Sequence, residues 1–161
     1  MQALTAFETV PLAEIAKRGL VVETEPHRPL VLVVDDETII ADTRAAIFTN
    51  WGYAVMTAYS GEAALEIARV IPPELLISDV ILTGMNGVEL AIAVQEIVPD
   101  CKVLLFSGLP SSAEMLASAR SEGHSFTLLD KPLHPAQLFA HLSELGFVSP
   151  EASVGQRSRG N

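Results

Sequence analysis

Five short apolar runs, LVLVV, YAVMTAY, ELLIS, KVLLF and FTLLD, alternate with segments of helical period. Runs of this length that stay apolar at successive positions suit strands buried on both faces. Strands that alternate with helices give an α/β fold whose parallel sheet is covered on both sides. In TIIADTRAAIFTNWG the spacing puts Ile39, Ile40, Thr43, Ala46 and Ile47 on one side of a helix. Ser60 is placed to cap GEAALEIARVI, and Pro72 and Pro73 forbid its continuation. TGMNG reads as a loop in which Asn86 and Gly87 suit left-handed backbone. VELAIAVQEIV closes at Pro99, SSAEMLASARSEG carries serine caps and a glycine stop, and HPAQLFAHLSELG runs from Pro135 to Gly146. Residues 1–28 read as an extension in which PLAEIAKRG suits a short helix, 29–147 as one domain, and 148–161 as a flexible polar tail.

Open parallel sheets build their sites at the carboxyl ends of their strands. Asp35 and Asp36 follow LVLVV, Asp79 follows ELLIS, KVLLF ends in Ser107, and FTLLD leads into Lys131. Adjacent carboxylates repel by about 4 kcal/mol at ~4 Å and an effective dielectric near 20, so the acidic pair calls for a cation. Hard oxygen ligands select Mg²⁺ or Mn²⁺ over soft metals. An acid directly after a buried strand is a metal ligand, a nucleophile, or both. A carboxylate that attacks a phosphoryl donor forms an acyl phosphate. A metal would screen the incoming oxygens, Lys131 would give one of them a point charge, and Ser107 would donate to another. Taken singly, each group has an ordinary alternative: a solvated helix start, a surface lysine, a strand-end hydroxyl. Their joint placement at the ends of separate strands makes them one site.

Composition narrows the field. A formal net charge of -10 and 6% aromatic residues argue against non-specific nucleic-acid or anionic-membrane binding. The basic residues Lys17, Arg18, Arg28, Arg44, Arg69 and Arg120 are scattered. The one cysteine, Cys101, reads as a core residue rather than a reactive thiol. His27, His124, His134 and His141 lack metal-ligand spacing. No apolar run approaches the roughly 18 residues that span a bilayer. MQALTAFETVPLAE lacks a signal-peptide pattern, so the cytoplasm is the expected location. The absence of a helix-turn-helix pattern after Gly146 argues against direct transcription control.

The order VVDDE, ISDVILTGMNG, LLFSG, LLDKP resembles the receiver domain of two-component response regulators, over roughly residues 29–147. The resemblance implies a flavodoxin-like (βα)5 three-layer sandwich with strand order 2-1-3-4-5. It implies Asp79 as phosphoacceptor, and Asp35, Asp36 and the Ile81 carbonyl, with Asp79, as ligands of Mg²⁺ or Mn²⁺. Ser107, with Gly108 beside it, becomes the switch hydroxyl at the phosphate, and Lys131 the phosphate-binding amine, followed by a cis Pro132. The implied partners are a histidine kinase or histidine phosphotransfer protein and a downstream protein, with the oligomeric state, a homodimer included, left open. Such a domain catalyses its own phosphotransfer and slow self-dephosphorylation rather than conventional turnover.

The chain departs from the family pattern at several positions. Thr83 stands where the family has proline, which implies a looser loop. Leu128 stands at the switch aromatic, with Phe126 nearby and room for an inserted residue in EGHSFTLLD. Ile81 and Leu109 flank the path of the hydrolytic water, which implies a long-lived phosphoryl group. By analogy the contact surface is built from SSAEMLASAR, SFTLL and HPAQLFAHL. The competing readings are a degenerate receiver that binds partners without phosphorylation, a phosphohydrolase of the haloacid dehalogenase type, and a flavin-binding domain. Ile81 sits where the second needs another acid, and the acidic DDET loop disfavours the third.

Overall fold

A computed structural model describes residues 11–19, 27–108, 112–124 and 126–147. The expectations for residues 1–10, 20–26, the 148–161 tail and Leu109 lie outside the described residues. PLAEIAKRG contains a short helix, α1 (Leu12–Lys17). The strands are β1 (Leu30–Val34), β2 (Ala54–Ala58), β3 (Leu75–Asp79), β4 (Lys102–Ser107) and β5 (Thr127–Asp130). The helices between and after them are α2 (Thr38–Asn50), α3 (Gly61–Val70), α4 (Gly87–Ile97), α5 (Ser112–Ser121) and α6 (Pro135–Glu144). The five strands form one parallel sheet in the order β2-β1-β3-β4-β5, as the resemblance implied.

Alternation along each strand divides the core between two faces. Leu32, Val34, Leu76, Val103 and Leu105 pack with Ala64 and Ala68 of α3, Leu90 and Val94 of α4, and Leu116 of α5. Val31, Val33, Leu75, Ile77, Leu104 and Phe106 pack with Phe48 of α2 and Leu138 and Leu142 of α6. Asp35 and Asp79 continue the second set, so the pleat aims them toward the face that α2 and α6 cover. Cys101 is buried in the first core, and burial pushes its thiol up to about 12, as its reading as a core residue requires.

Several local expectations hold. Ser60 Oγ accepts from the Ala63 amide and caps α3. Pro135 opens α6, and Gly146 follows its end with φ +87°. Two others are corrected. The buried side of α2 is not the Ile39, Thr43, Ala46 side: Ile39 is 79% exposed, while Ala41 and Phe48 are buried with Arg44 between them. A cation in the inward stripe masks the apolar period. In the TGMNG loop Gly84, with φ +80°, takes the left-handed conformation. Asn86 has φ -78° and caps α4 by accepting from Glu89 N, while the Glu89 side chain returns to the Asn86 amide.

The Tyr53 hydroxyl is buried and has no hydrogen-bond partner among the described residues, and burial raises its pKa. Its ring packs edge-on against Phe48, at 5.8 Å between centroids. Tyr53→Phe keeps that contact and removes the unsatisfied group. It is expected to be neutral or to stabilise by up to about 1 kcal/mol in urea denaturation. A loss of more than about 1 kcal/mol would show that the hydroxyl has a partner.

Candidate functional site

Parallel register brings the sequence-predicted groups together. Val34 pairs with Ser78, so Asp35 and Asp79 stand level at the ends of neighbouring strands. Asp79 pairs with Phe106, and Ser107 pairs with Asp130, the residue before Lys131. The Lys131 amide donates to the Ser107 carbonyl at 2.9 Å, and Lys131-Pro132 is cis. Ser107 is buried. A β-carbon built on Gly108 would lie 3.9 Å from that of Lys131, so these two residues are neighbours.

Each carboxylate at this edge is held by protein donors. Lys131 Nζ lies 2.6 Å from Asp79 Oδ2. Asp35, only 1% exposed, accepts from the Glu37 amide at Oδ1 and from Arg44 Nη1 at Oδ2, both at 3.0 Å. Asp36 is exposed, and its Oδ2 accepts from the Thr83 amide at 3.2 Å and the Thr83 hydroxyl at 3.0 Å. Three carboxylates against two cations leave one net negative charge at the strand ends. Asp36, met here by neutral donors, carries that excess.

Thr83 therefore ties its loop to Asp36, where the departure from proline had implied a looser loop. A second latch helps it: Glu62 Oε1 accepts from the Met85 amide at 2.9 Å. That bond holds the Glu62 carboxyl below its usual pKa, so the latch is intact at neutral pH and weakens as pH falls through the lowered value. Gly84 is required beside it, because its φ is positive and a β-carbon there would lie 2.7 Å from Glu62 Oε1. Gly87 is required for another reason: an added β-carbon would fall 2.1 Å from the Asp79 carbonyl oxygen.

The oxygen chemistry of Asp35, Asp36 and Asp79 fits Mg²⁺, a hard cation that prefers carboxylates. Among the described residues no three His, Cys, Asp or Glu side chains converge as a preformed cage. The carboxylates meet Arg44, Thr83 and Lys131 instead. Ile81 is 45% exposed at the rim, with its amide 3.4 Å from Asp79 Oδ1, long for an N–H···O bond.

The position that the resemblance assigns to the switch aromatic holds an aliphatic side chain. Leu128 pairs with Leu105 and packs on the α3, α4, α5 face of the core. Phe126 is buried before β5 begins, stacked on His124 at 6.0 Å, and lies one pleat further from Ser107. Among the described histidines, His134 caps α6 by accepting from the Ala136 amide, and His27 meets Glu74 at 2.7 Å.

Two bonds at the site, from Thr83 to Asp36 and from Arg44 to Asp35, escaped the sequence reading. Thr83 declares itself only through a contact 47 residues away. Arg44 left one clue: three residues after Ala41 and four before Phe48, it falls on the stripe that faces the sheet.

The profile of the response regulator receiver domain matches residues 31–143. The transcriptional regulatory protein ZraR of Salmonella typhimurium is 32% identical over 133 residues, which cover 78% of this chain and 30% of that protein. The chain thus spans under a third of the length of that regulator. The chemotaxis protein CheY of Thermotoga maritima is 25% identical, with 71% of this chain and 95% of that protein covered. Among solved structures, chemotaxis protein CheY4 of Vibrio cholerae superposes with a TM-score of 0.66 at 27% identity, covering 74% of this chain and 99% of that one. A CheY-like receiver domain protein of Methanospirillum hungatei gives 0.67 at 25% identity, covering 79% and 99%. No described helix is long and apolar enough to cross a membrane. With the strand order, the strand-end acids and the matching profile all in agreement, the chain belongs to the response regulator receiver domain family.

Proposed function

We propose that Asp79 accepts a phosphoryl group from a phosphohistidine on a partner protein or from a small acyl phosphate. The observation that carries this reading is the Lys131 ammonium 2.6 Å from Asp79 Oδ2, level with Asp35 at the end of the next strand. A carboxylate oxygen of Asp79 attacks phosphorus, and the P–N bond of phosphohistidine, or the P–O bond of an acyl phosphate, breaks. The electron pair stays on the imidazole nitrogen, or on the carboxylate oxygen of the acyl phosphate, and an acyl phosphate forms on Asp79. Lys131 turns from the carboxylate to a phosphoryl oxygen, and the Ser107 hydroxyl donates to another. Asp35, Asp36, Asp79 and the Ile81 carbonyl would hold Mg²⁺, which when bound offsets the charge of the phosphoryl oxygens. Gly108 leaves the phosphate approach clear. The output is a protein contact that depends on Ser107 closing on the phosphoryl group.

The test is covalent. Incubation with acetyl phosphate and Mg²⁺ should add one phosphoryl group by intact mass, and chelation with EDTA should prevent it. A chain labelled neither by acetyl phosphate nor by a phosphorylated histidine kinase under these conditions acts as a phosphorylation-independent binding module. That second reading draws its support from Leu128 and from the prior engagement of Asp35 by Arg44 and of Asp36 by Thr83.

Ile81 is half-exposed at the rim, and by the family resemblance it flanks the path of the water that reaches a phosphorylated Asp79. An apolar side chain there neither orients nor admits that water. Ile81→Asn is expected to speed loss of the phosphoryl group about tenfold. Equal decay of labelled wild type and variant would remove Ile81 as the cause of slow hydrolysis.

A further inference from the structure

A buried arginine needs a physical reason, because a guanidinium in the inward stripe of a helix is costly unless paired. Arg44 is 15% exposed by its side chain and bonds Asp35, which is 1% exposed. Its guanidinium also lies over the Phe106 ring, 4.5 Å from the centroid. Beside it opens a surface cavity of about 470 Å³, with Arg44 and Lys131 among its lining and Ile47, Leu133 and Leu138 as apolar wall. A bond that only docked α2 onto β1 would not need to end on the buried member of the acidic pair. Here a cation already sits where the sequence calls for one.

We propose that Arg44 is the resident cation of the acid site, and that a divalent ion binds by displacing its guanidinium from Asp35 toward the cavity. The inference rests on the metal-assisted reading of the site given above. A divalent ion shared by Asp35 and Asp36 would lie within a few ångströms of Arg44, and two such cations repel strongly in a partly desolvated site. The Phe106 ring gives the displaced guanidinium a face to remain on. The cavity gives it room. Arg44 therefore sets how much free Mg²⁺ the domain needs. It also links metal occupancy to the α2 and α6 face, on the opposite side of the sheet from Leu128.

The experiment is a Mn²⁺ titration followed by the EPR signal of the free ion, on wild type and Arg44→Met. Loss of the competing charge should tighten binding about tenfold or more. Mg²⁺ should also raise the Tm of the variant more than that of wild type, because Asp35 then has the metal as its only cation. Equal or weaker Mn²⁺ affinity in the variant overturns the proposal and marks Arg44 as a purely structural partner. Should the variant not fold, wild type alone decides by NMR of the arginine guanidinium groups during a Mg²⁺ titration. The Arg44 signals should shift and lose their hindered rotation as metal saturates. Unchanged Arg44 signals at a Mg²⁺ level that shifts the Asp79 amide overturn it. A wild type and a variant that both bind no metal would fail the metal-assisted reading itself, a result separate from equal binding by both.

Discussion

Asp79→Asn is expected to abolish phosphoryl uptake while leaving the fold intact. The amide has the shape of the carboxylate but lacks a nucleophilic oxygen at neutral pH. Asp79 stands at the end of β3, whose other residues are buried between β1 and β4 and do not depend on its charge. What the substitution does break is the Lys131 contact at 2.6 Å. Removing one member of a fully buried pair costs about 3–5 kcal/mol. Here Lys131 is 31% exposed, so water takes over much of its solvation, and the cost falls to about 1 kcal/mol. The measurement is intact mass after acetyl phosphate and Mg²⁺, with a thermal melt as control. Undiminished labelling of a folded Asp79→Asn protein would move the acceptor elsewhere on the strand-end edge, with exposed Asp36 the next carboxylate to examine.

The groups that carry this chemistry were legible because strand ends are legible. Buried parallel strands are short apolar runs, and the residue that follows one is fixed in space by the sheet. Asp35, Asp79, Ser107 and Lys131 therefore converge as the spacing predicts, and the strand order follows the family. Helix faces were less legible. The inward stripe of α2 contains Arg44, so apolar counting favours the side that carries Ile39, which the structure exposes. A buried charge erases the signal used to find burial. The loop bonds to Asp36 and Glu62 were not legible at all. Thr83 reaches Asp36 across 47 residues of sequence, and Glu62 reaches Met85 across 23. Nothing local marks a bond of that kind. Thr83 shows the consequence: judged by family pattern it loosens a loop, judged by its hydrogen bonds it fastens one.

Gly87→Ala is expected to be among the most destabilising single substitutions, although alanine is the better helix former. The glycine opens α4 without a positive φ, so backbone conformation is not the obstacle. Space is: a β-carbon would lie 2.1 Å from the Asp79 carbonyl oxygen and 3.0 Å from the Val80 α-carbon. Both obstacles are backbone atoms, and no rotamer can relieve them. The Gly87 amide also donates to the Val80 carbonyl at 2.8 Å, pinning the helix start to the exit of the strand that carries Asp79. Relief requires α4 to retreat from β3, which loosens the packing of Leu90 and Val94. The expected cost is about 3 kcal/mol, or roughly 10 °C in Tm. Gly123→Ala is the control. Its φ is +92° and nothing lies within 4 Å, so it should cost only about 1 kcal/mol of backbone strain. The first variant should also slow phosphoryl uptake in whatever fraction remains folded, since the displaced backbone belongs to Asp79. Equal melting points for the two variants would show that the close approach of α4 to β3 is not what demands glycine there.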